Sequence, residues 1–148
     1  MSALSPAVVK RLAAAALRAQ RNAYAPGSNY RVGAAVLGGS GKIYAGCNVE
    51  PPTLINPFCA ERNAIGNAIT HGERTIKAVC TASRSSVPCG ACRQFILEFS
   101  EADTPIVSLY VDPNGKVERT IRTSIRKLLP CAHTELQISR NRRELGAA

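Results

Sequence analysis

The sequence predicts an α/β fold that is built on a mixed β-sheet, and two observations lead to this prediction. Stretches rich in β-forming residues alternate along the chain with stretches whose apolar residues recur at helical spacing. The first two β-rich stretches are separated only by Gly38-Gly39-Ser40-Gly41, which predicts a hairpin. Because a hairpin pairs its strands antiparallel while helical crossovers favour parallel pairs, the sheet should contain both kinds of pair.

Caps, glycines and prolines set the expected boundaries of each element. Ser5 and Pro6 form a typical N-cap and first helical position, and apolar residues at helical spacing continue the first helix to about Arg21. Gly72 should end the second helix, and Pro130 should end the fourth. The expected helices cover residues 6–21, 59–71, 89–99 and 121–129, and the expected strands cover residues 30–37, 42–49, 75–82, 105–111 and 116–120.

Length and composition bound the class of protein. A chain of 148 residues has the commonest size of a single domain, so residues 1–148 are expected to form one domain with a polar, frayed tail at about 136–148. Apolar residues make up 45% of the composition and charged residues 20%, which indicates a globular protein rather than a disordered one. No export signal and no membrane span is visible, which favours a cytoplasmic location.

The formal net charge of +9 raises the question of a nucleic-acid partner. Much of this charge lies late in the chain, but no basic run is interleaved with aromatic residues, and tryptophan is absent. An ordinary soluble surface can carry the same excess of charge. Binding to nucleic acid is therefore an alternative that the charge alone does not favour.

Two cysteine motifs point to a metal site. Cys59 stands two residues before Glu61, and Pro88 is followed by the pair Cys89 and Cys92. Thiolates bind zinc well, and cysteines at helix starts lie near unpaired backbone N–H groups that favour the thiolate form. Three thiolates leave one zinc coordination position open for water, and a nearby carboxylate can take its proton. The pattern favours a catalytic zinc site over a disulfide framework.

A structural zinc ion with four protein ligands is the alternative to a catalytic one. The candidates for a fourth ligand are Cys47, Cys80, Cys131, His71 and His133. Cys47 and Cys80 lie in apolar strand contexts that are more typical of core residues. In the catalytic interpretation, three thiolates give the zinc centre a net negative charge, and Arg62 is the cation expected to balance it by hydrogen bonding to a sulfur.

The residues around these motifs resemble the cytidine deaminase family, in its small branch with three zinc-binding cysteines. The resemblance is carried by Cys59-Ala60-Glu61 and by Pro88 to Cys92. It extends, in the expected order, to the stretches 23–26, 28–35, 46–50 and 92–94, and so covers most of the chain up to about Phe99. The resemblance implies a three-layer α/β/α fold with a five-stranded mixed sheet, and a homotetramer whose active sites borrow residues from neighbouring subunits.

The resemblance also implies the role of each site residue. Cys59, Cys89 and Cys92 would hold one zinc ion per subunit. Glu61 would shuttle protons during hydrolytic deamination of cytidine or deoxycytidine, with release of ammonia. The substrate would be bound by Asn48 and Glu50 at the sugar hydroxyls, by the backbone of Ala60 at the pyrimidine, and by Tyr30, where the family usually has phenylalanine, packed on the base.

Three positions at the expected rim of the pocket depart from the family pattern. Gly27 and Leu54 stand where the family commonly has aromatic residues, and His133 stands where it has phenylalanine. Smaller or more polar residues there could admit a larger substrate. The alternative function is therefore deamination of a modified cytosine nucleoside similar to blasticidin S. The retained pair Asn48 and Glu50 favours an ordinary ribose over this alternative. A polynucleotide-editing or nucleic-acid-binding protein is less favoured still, because a short chain with a closed, sugar-binding pocket argues against it.

Overall fold

The computed structural model describes residues 4–53, 56–85 and 87–133 of the chain. Leu54 and the tail expected at about 136–148 lie outside the described residues. In chain order the elements are α1 (Pro6–Arg21), β1 (Gly33–Gly38), β2 (Ile43–Cys47), α2 (Ala60–Thr70), β3 (Ile76–Ser83), α3 (Gly90–Glu98), β4 (Pro105–Val111), β5 (Val117–Ser124) and α4 (Ile125–Leu128).

The five strands form one mixed sheet in the order β2-β1-β3-β4-β5. The pair β3–β4 is parallel, and the other three neighbouring pairs are antiparallel. One buried cluster joins α1 to one face of the sheet, and a second joins α2 and α3 to the other face. The three-layer α/β/α fold with a five-stranded mixed sheet is therefore confirmed.

The first helix shows why the sequence folds as predicted at its start. The Ser5 hydroxyl accepts a hydrogen bond from the backbone N–H of Val8, which satisfies one of the unpaired donors at the helix start. The side chains of Leu12, Ala15 and Ala16 are buried against the sheet, while the opposite face carries basic residues. Across the described residues, no helix is both long and apolar enough to cross a bilayer.

Two parts of the prediction are wrong by three residues or more, and the other bounds differ by at most two residues. The first strand begins at Gly33 and not at residue 30, because the Asn48 side chain takes the place of a strand partner: its Oδ1 accepts from Val32 N at 2.8 Å and its Nδ2 donates to Tyr30 O at 2.8 Å. The last strand continues to Ser124, where it pairs with Pro105, so the final helix covers only Ile125–Leu128. The β-branched residues of 120–123 favour the strand over the predicted helix.

Two glycines let the helices approach the β1–β2 hairpin from opposite sides. A Cβ atom on Gly33 would lie 2.1 Å from the carbonyl oxygen of Ala16 in α1. A Cβ atom on Gly46 would lie 2.5 Å from the backbone nitrogen of Ala64 in α2. Both contacts are with backbone atoms, which cannot move aside as a flexible side chain can. Only glycine therefore allows this close helix–sheet packing.

We expect the substitution Gly46→Ala to destabilise the fold by about 2 kcal/mol, because α2 must shift outward to make room for the methyl group. The measurement is chemical denaturation of the two proteins under identical conditions. Gly66→Ala is the matched control, because Gly66 lies within α2 with nothing near the site of its missing Cβ. That change should stabilise the protein by roughly 0.5–1 kcal/mol. Equal effects of the two substitutions would contradict the packing argument.

A buried carboxylate fastens the tip of the hairpin to the loop after α2. Glu73 accepts hydrogen bonds from the Ser40 hydroxyl, from Ser40 N at 3.1 Å and from the Tyr44 hydroxyl at 3.1 Å. The hydrogen bonds from the side chain and backbone of Ser40 hold the pKa of the Glu73 carboxyl below its usual value. The ionised form is therefore the form that the folded protein prefers.

We expect Glu73→Gln to lower the midpoint of thermal unfolding at pH 7, with a difference that narrows as the pH falls below about 4. The sign follows from the lowered pKa: the carboxylate stabilises the fold above the pKa of the unfolded chain, and this contribution is lost as the pH falls through the folded pKa. Thermal unfolding of the wild type and of Glu73→Gln from pH 3 to pH 7 measures the difference between their midpoints, which is the gap that should depend on pH. A gap that does not change with pH would contradict this account.

The strand β2 lies at the edge of the sheet, and side chains from α2 cover two of its carbonyl groups. Asn63 Nδ2 donates to the carbonyl oxygen of Cys47 at 2.8 Å, and Asn67 Nδ2 donates to that of Ala45 at 3.1 Å. The two asparagines are four residues apart and so lie on one face of the helix. They attach α2, the helix that begins next to Cys59, to the edge of the sheet.

Candidate active site

Three cysteines meet where two helices begin. Cys59 is the N-cap residue of α2, Cys89 is the N-cap residue of α3, and Cys92 lies in the first turn of α3. The three sulfur atoms all lie within 4.8 Å of one another. Neither N-cap cysteine makes a side-chain capping hydrogen bond, so both thiols face the cluster. Unpaired N–H groups and the helix dipoles at both helix starts favour negative charge at this place.

The electrostatics of the cluster fit a bound cation. Burial raises the pKa of the Cys92 thiol well above its ordinary value, and the charges of Glu61, Cys59 and Cys89 raise it further. Burial also raises the pKa of the Cys59 thiol, although a hydrogen bond with Cys92 opposes this. Closely packed thiols thus resist ionisation unless a metal ion compensates their charge. Soft sulfur ligands suit zinc, so these residues fit that ion.

None of the proposed fourth ligands joins the cluster within the described part of the chain. Cys80 is buried in the core beneath α1, and burial raises the pKa of its thiol to about 12. Cys47 donates a hydrogen bond to Asn22 O at 3.5 Å, and the ring of His71 lies against Tyr44, tilted by 39°, with a centroid distance of 5.5 Å. Cys131 and His133 are exposed. Three protein ligands leave room for a water, as catalysis requires.

Glu61 lies beside the cysteines in the first turn of α2, where a carboxylate is favoured by the helix dipole. Its side chain is only 5% exposed. Burial raises the pKa of the Glu61 carboxyl, and hydrogen bonds from its own backbone N–H and from the Cys92 thiol lower it in part. A buried carboxylate with a raised pKa is suited to accepting and returning a proton near neutral pH.

A cleft of about 270 Å³ opens onto this cluster. It is lined by Tyr30, Val32, Asn48, Glu50, Pro57, Phe58, Cys59, Ala60, Glu61, Val87 and Cys89. Two larger cavities, of about 450 and 750 Å³, lie elsewhere on the surface, but neither is lined by a cysteine or by Glu61. The chemistry of the lining, and not the size of the cavity, therefore identifies the candidate site.

The cleft brings together the two residues expected to bind a sugar. Glu50 accepts hydrogen bonds from the Ser28 hydroxyl at 2.7 and 2.8 Å, and from Asn48 Nδ2 at 3.2 Å. Asn48 is almost fully buried, and its amide also holds the backbone of Tyr30 and Val32. Asn48 therefore holds both Glu50 and the neighbouring segment in place, a role that sequence reasoning did not assign. These donors hold the carboxylate of Glu50 in place in the lining of the cleft.

Other residues of the site have no predicted role, because neither their type nor their spacing indicates one. Ser28, Ser83 and Ser85 are ordinary hydroxyl residues in the sequence, yet all three bond to Tyr30 or Glu50 in the structure. Arg93 belongs to the stretch 92–94 of the family resemblance, but no role was predicted for it. Its Nε donates to Pro88 O at 2.7 Å and its Nη1 to Leu128 O at 2.9 Å, which fixes the backbone just before Cys89.

Arg62, Gly27 and His133 do not line the cleft. Arg62 is exposed, and its guanidinium lies 5.5 Å from the centre of the Phe95 ring, so its effect on a sulfur stays a prediction. Gly27 is exposed and does not line the cleft. His133 is also exposed, and its carbonyl oxygen accepts from Gln94 Nε2 at 2.9 Å. Leu54 is not among the described residues, so the predicted effect of this rim on substrate size stays a prediction.

Comparisons with known proteins agree on one family. Residues 7–109 match the model of the cytidine and deoxycytidylate deaminase zinc-binding region. The chain is 37% identical over 134 residues to a cytidine deaminase of Sporosarcina psychrophila, which covers 88% of this chain and 95% of that protein. It is 40% identical over 120 residues to a probable cytidine deaminase of Dictyostelium discoideum, which covers 78% of this chain and 77% of that one.

Solved structures lead to the same family. The crystal structure of a cytidine deaminase from Burkholderia pseudomallei superposes with a TM-score of 0.74 at 34% identity, and the match covers 84% of this chain and 98% of that chain. The crystal structure of a cytidine deaminase from Mycobacterium tuberculosis gives a TM-score of 0.71 at 28% identity over 85% of this chain and 97% of that chain. The chain is thus similar to these two cytidine deaminases both in fold and in sequence.

Proposed function

Because the chain belongs to the family of cytidine and deoxycytidylate deaminases, we propose that its cysteine-lined cleft is where cytidine and deoxycytidine are bound and deaminated. The reaction is a zinc-dependent hydrolysis: water replaces the exocyclic amino group at C4, and the uracil nucleoside and ammonia leave. The observation that carries the proposal is the meeting of three thiols and buried Glu61 in one cleft with the Asn48–Glu50 pair.

The protein groups divide the work of the reaction. Cys59, Cys89 and Cys92 would hold the zinc ion, which would lower the pKa of a bound water so that it could react at neutral pH. Glu61 accepts a proton from the attacking water and delivers it to N3 of the pyrimidine as the C4–O bond forms. Glu61 then transfers the proton of the new C4 hydroxyl to the amino group, so that the C4–N bond breaks, C4=O forms and ammonia leaves. The raised pKa of Glu61 supports this exchange, since a strongly acidic carboxyl would return the proton poorly.

Other residues that line the same cleft would bind the substrate. Glu50 has its carboxylate fixed by Ser28 and Asn48, so it can accept hydrogen bonds from sugar hydroxyls without losing side-chain freedom. Tyr30 contributes a flat apolar face for the pyrimidine, and Ala60 offers a backbone group next to Cys59. This division supports the assignment of the cleft to a nucleoside and not to a free base.

Turnover of a panel of cytosine nucleosides, followed by the change in ultraviolet absorbance, tests the function and its main alternative. We expect kcat/KM to be highest for cytidine or deoxycytidine, because the sugar-binding pair suits an unmodified ribose. Zinc is quantified in the same preparation. A zinc-loaded protein that turns over neither nucleoside would refute the proposal, and a preference for bulkier analogues would support the modified-nucleoside alternative, which the comparisons do not favour.

We further propose that the enzyme is a homotetramer with subunit contacts beside the cleft. Three large apolar residues are exposed there: Tyr24 at 51%, Val49 at 36% and Phe58 at 50%. The three residues are adjacent: Val49 and Phe58 exchange two backbone hydrogen bonds, and Tyr24 bonds to Asn48 O and Glu50 N on either side of Val49. Apolar groups gathered at the mouth of a site suit burial against another subunit. Light scattering should give about four times the chain mass of 15.7 kDa, and a monomer would refute the proposal.

We also propose that the protein acts in the cytoplasm and serves pyrimidine salvage. All six cysteines are free thiols in the structure, as a reducing compartment favours. A hydrolase that converts cytosine nucleosides into uracil nucleosides lets a cell use one kind of pyrimidine as a source of the other. Cell fractionation with an antibody against the chain tests the location, and growth of a deletion strain on cytidine as the only pyrimidine source tests the role.

A further inference from the structure

A small ring of hydrogen bonds fastens the connection between β3 and α3. The Tyr30 hydroxyl lies 2.9 Å from Ser83 Oγ and 3.2 Å from the carbonyl oxygen of Ser85. Ser85 N donates to Ser83 Oγ at 3.2 Å. One arrangement of protons satisfies all three contacts: Ser83 donates to Tyr30, Tyr30 donates to the Ser85 carbonyl, and Ser85 N–H donates to Ser83. Hydrogen bonds in such a closed ring strengthen one another.

The backbone of Tyr30 is held by the side chains of Ser28 and Asn48. Tyr30 N donates to the Ser28 hydroxyl at 3.0 Å, and Tyr30 O accepts from Asn48 Nδ2 at 2.8 Å. Ser28 and Asn48 are also the residues that hold Glu50. Tyr30 therefore spans the cleft from the sugar-binding carboxylate to the start of the connection that ends at Cys89.

The described residues of the connection between Ser83 and Cys89 are held at both ends. Its far end is held by Arg93, which donates to the carbonyl oxygen of Pro88. Its near end is held by the ring around the Tyr30 hydroxyl, and Ser83 is fully buried there. A phenylalanine at position 30 would fill the same wall of the cleft but leave the Ser83 hydroxyl and the Ser85 carbonyl without this partner. The near end would then open more often.

We propose that Tyr30 is a positioning residue, whose hydroxyl holds the β3–α3 connection in place and thereby slows the loss of zinc from Cys89. The proposal rests on the proposed function, through the assignment of Cys89 as a zinc ligand. It adds a second task to Tyr30 beyond packing on the base. The hydroxyl acts through Ser83 and Ser85 and does not touch the metal.

The test compares zinc release from the holoenzyme variants Tyr30→Phe and Tyr44→Phe into an excess of a coloured chelator. Tyr44→Phe is the matched control, because it also removes a tyrosine hydroxyl that bonds to a buried partner, Glu73, but at the far end of the hairpin. We expect Tyr30→Phe to release zinc about tenfold faster than the wild type and to raise KM for cytidine more than it changes kcat. Tyr44→Phe should lower the unfolding temperature but leave both readouts unchanged.

A double-mutant cycle separates the ring from a general loss of stability. If the ring acts as a unit, Tyr30→Phe and Ser83→Ala together should release zinc no faster than the faster single variant, within a factor of about two. Equal zinc release from wild type and Tyr30→Phe, or equal acceleration by Tyr44→Phe, would overturn the proposal. Zinc release needs no catalytic turnover, so a protein that fails to deaminate cytidine would refute the proposed function without deciding this test.

Discussion

The substitution Glu61→Gln is expected to reduce kcat/KM for cytidine by about 10⁴-fold while zinc remains bound. Glutamine keeps the shape of the side chain, but it can neither accept a proton from water nor deliver one to N3. The three thiols that would hold the metal are unchanged, so the zinc content should stay near one ion per chain. The measurements are steady-state kinetics and metal analysis of the same sample.

An exposed carboxylate gives the control for this substitution. Glu101→Gln makes the same chemical change at an exposed position between α3 and β4, away from the cleft. We expect its kinetics to match those of the wild type. Substantial turnover by zinc-loaded Glu61→Gln would contradict the role of Glu61, and loss of zinc from that variant would show that the carboxylate acts on the metal and not on the substrate.

The substitution Cys92→Ala is expected to abolish both zinc binding and activity. Cys92 is the buried member of the cluster, and its removal leaves two thiols at the starts of α2 and α3. Two ligands do not make a closed site for zinc, so we expect less than about one tenth of an ion per chain after dialysis. Because bound metal stabilises the folded state, the unfolding temperature should also fall and no longer respond to added zinc.

The matched control is Cys80→Ala, which removes a second fully buried thiol that lies in the other core cluster. It should cost stability through the small cavity it leaves, and the protein should still bind zinc and deaminate cytidine. If Cys92→Ala kept its zinc and its activity, the three-cysteine assignment would be wrong. If Cys80→Ala lost its zinc, the cluster would have a ligand that the geometry does not reveal.

Much of the fold could be predicted because local signals and packing agree. The first helix runs over Pro6–Arg21 as expected, since a serine cap, an N1 proline and an apolar stripe all favour it. The strand Pro105–Val111 is also as predicted, because its run of apolar and β-branched residues is buried. Where one residue type decided a boundary, as Gly72 does after α2, the prediction held as well.

The errors arose where long-range contacts decide the conformation. Residues 30–32 look like a strand, but they pair with an amide side chain that lies sixteen positions away in the sequence. Residues 121–124 were predicted to start a helix that ends before Pro130, but pairing with β4 extends the strand through them. Neither partner can be identified from the local pattern, because pairing across a sheet depends on how distant segments meet.

In the candidate site, too, some residues could be predicted from the sequence and others could not. The spacing of the cysteines and the carboxylate is distinctive in sequence, and the family resemblance added Asn48 and Glu50, so these residues of the cleft could be proposed before their geometry was known. The serines around Tyr30 and the carbonyl contacts of Arg93 could not, since hydroxyl and backbone groups occur throughout any chain. Sequence motifs therefore indicate which groups do the chemistry, while the groups that hold them in place become visible only in the structure.

The attachment of α2 to the edge of the sheet has a consequence for aggregation of the protein when the metal is lost. Asn63 and Asn67 satisfy carbonyl groups of an edge strand that would otherwise be open to pairing with another chain. The same helix begins beside Cys59 and carries Glu61, so a bound metal also restrains it. Loss of zinc would loosen α2 and uncover the edge. Metal-free protein should therefore self-associate on gentle heating under conditions in which the zinc-loaded enzyme stays in solution.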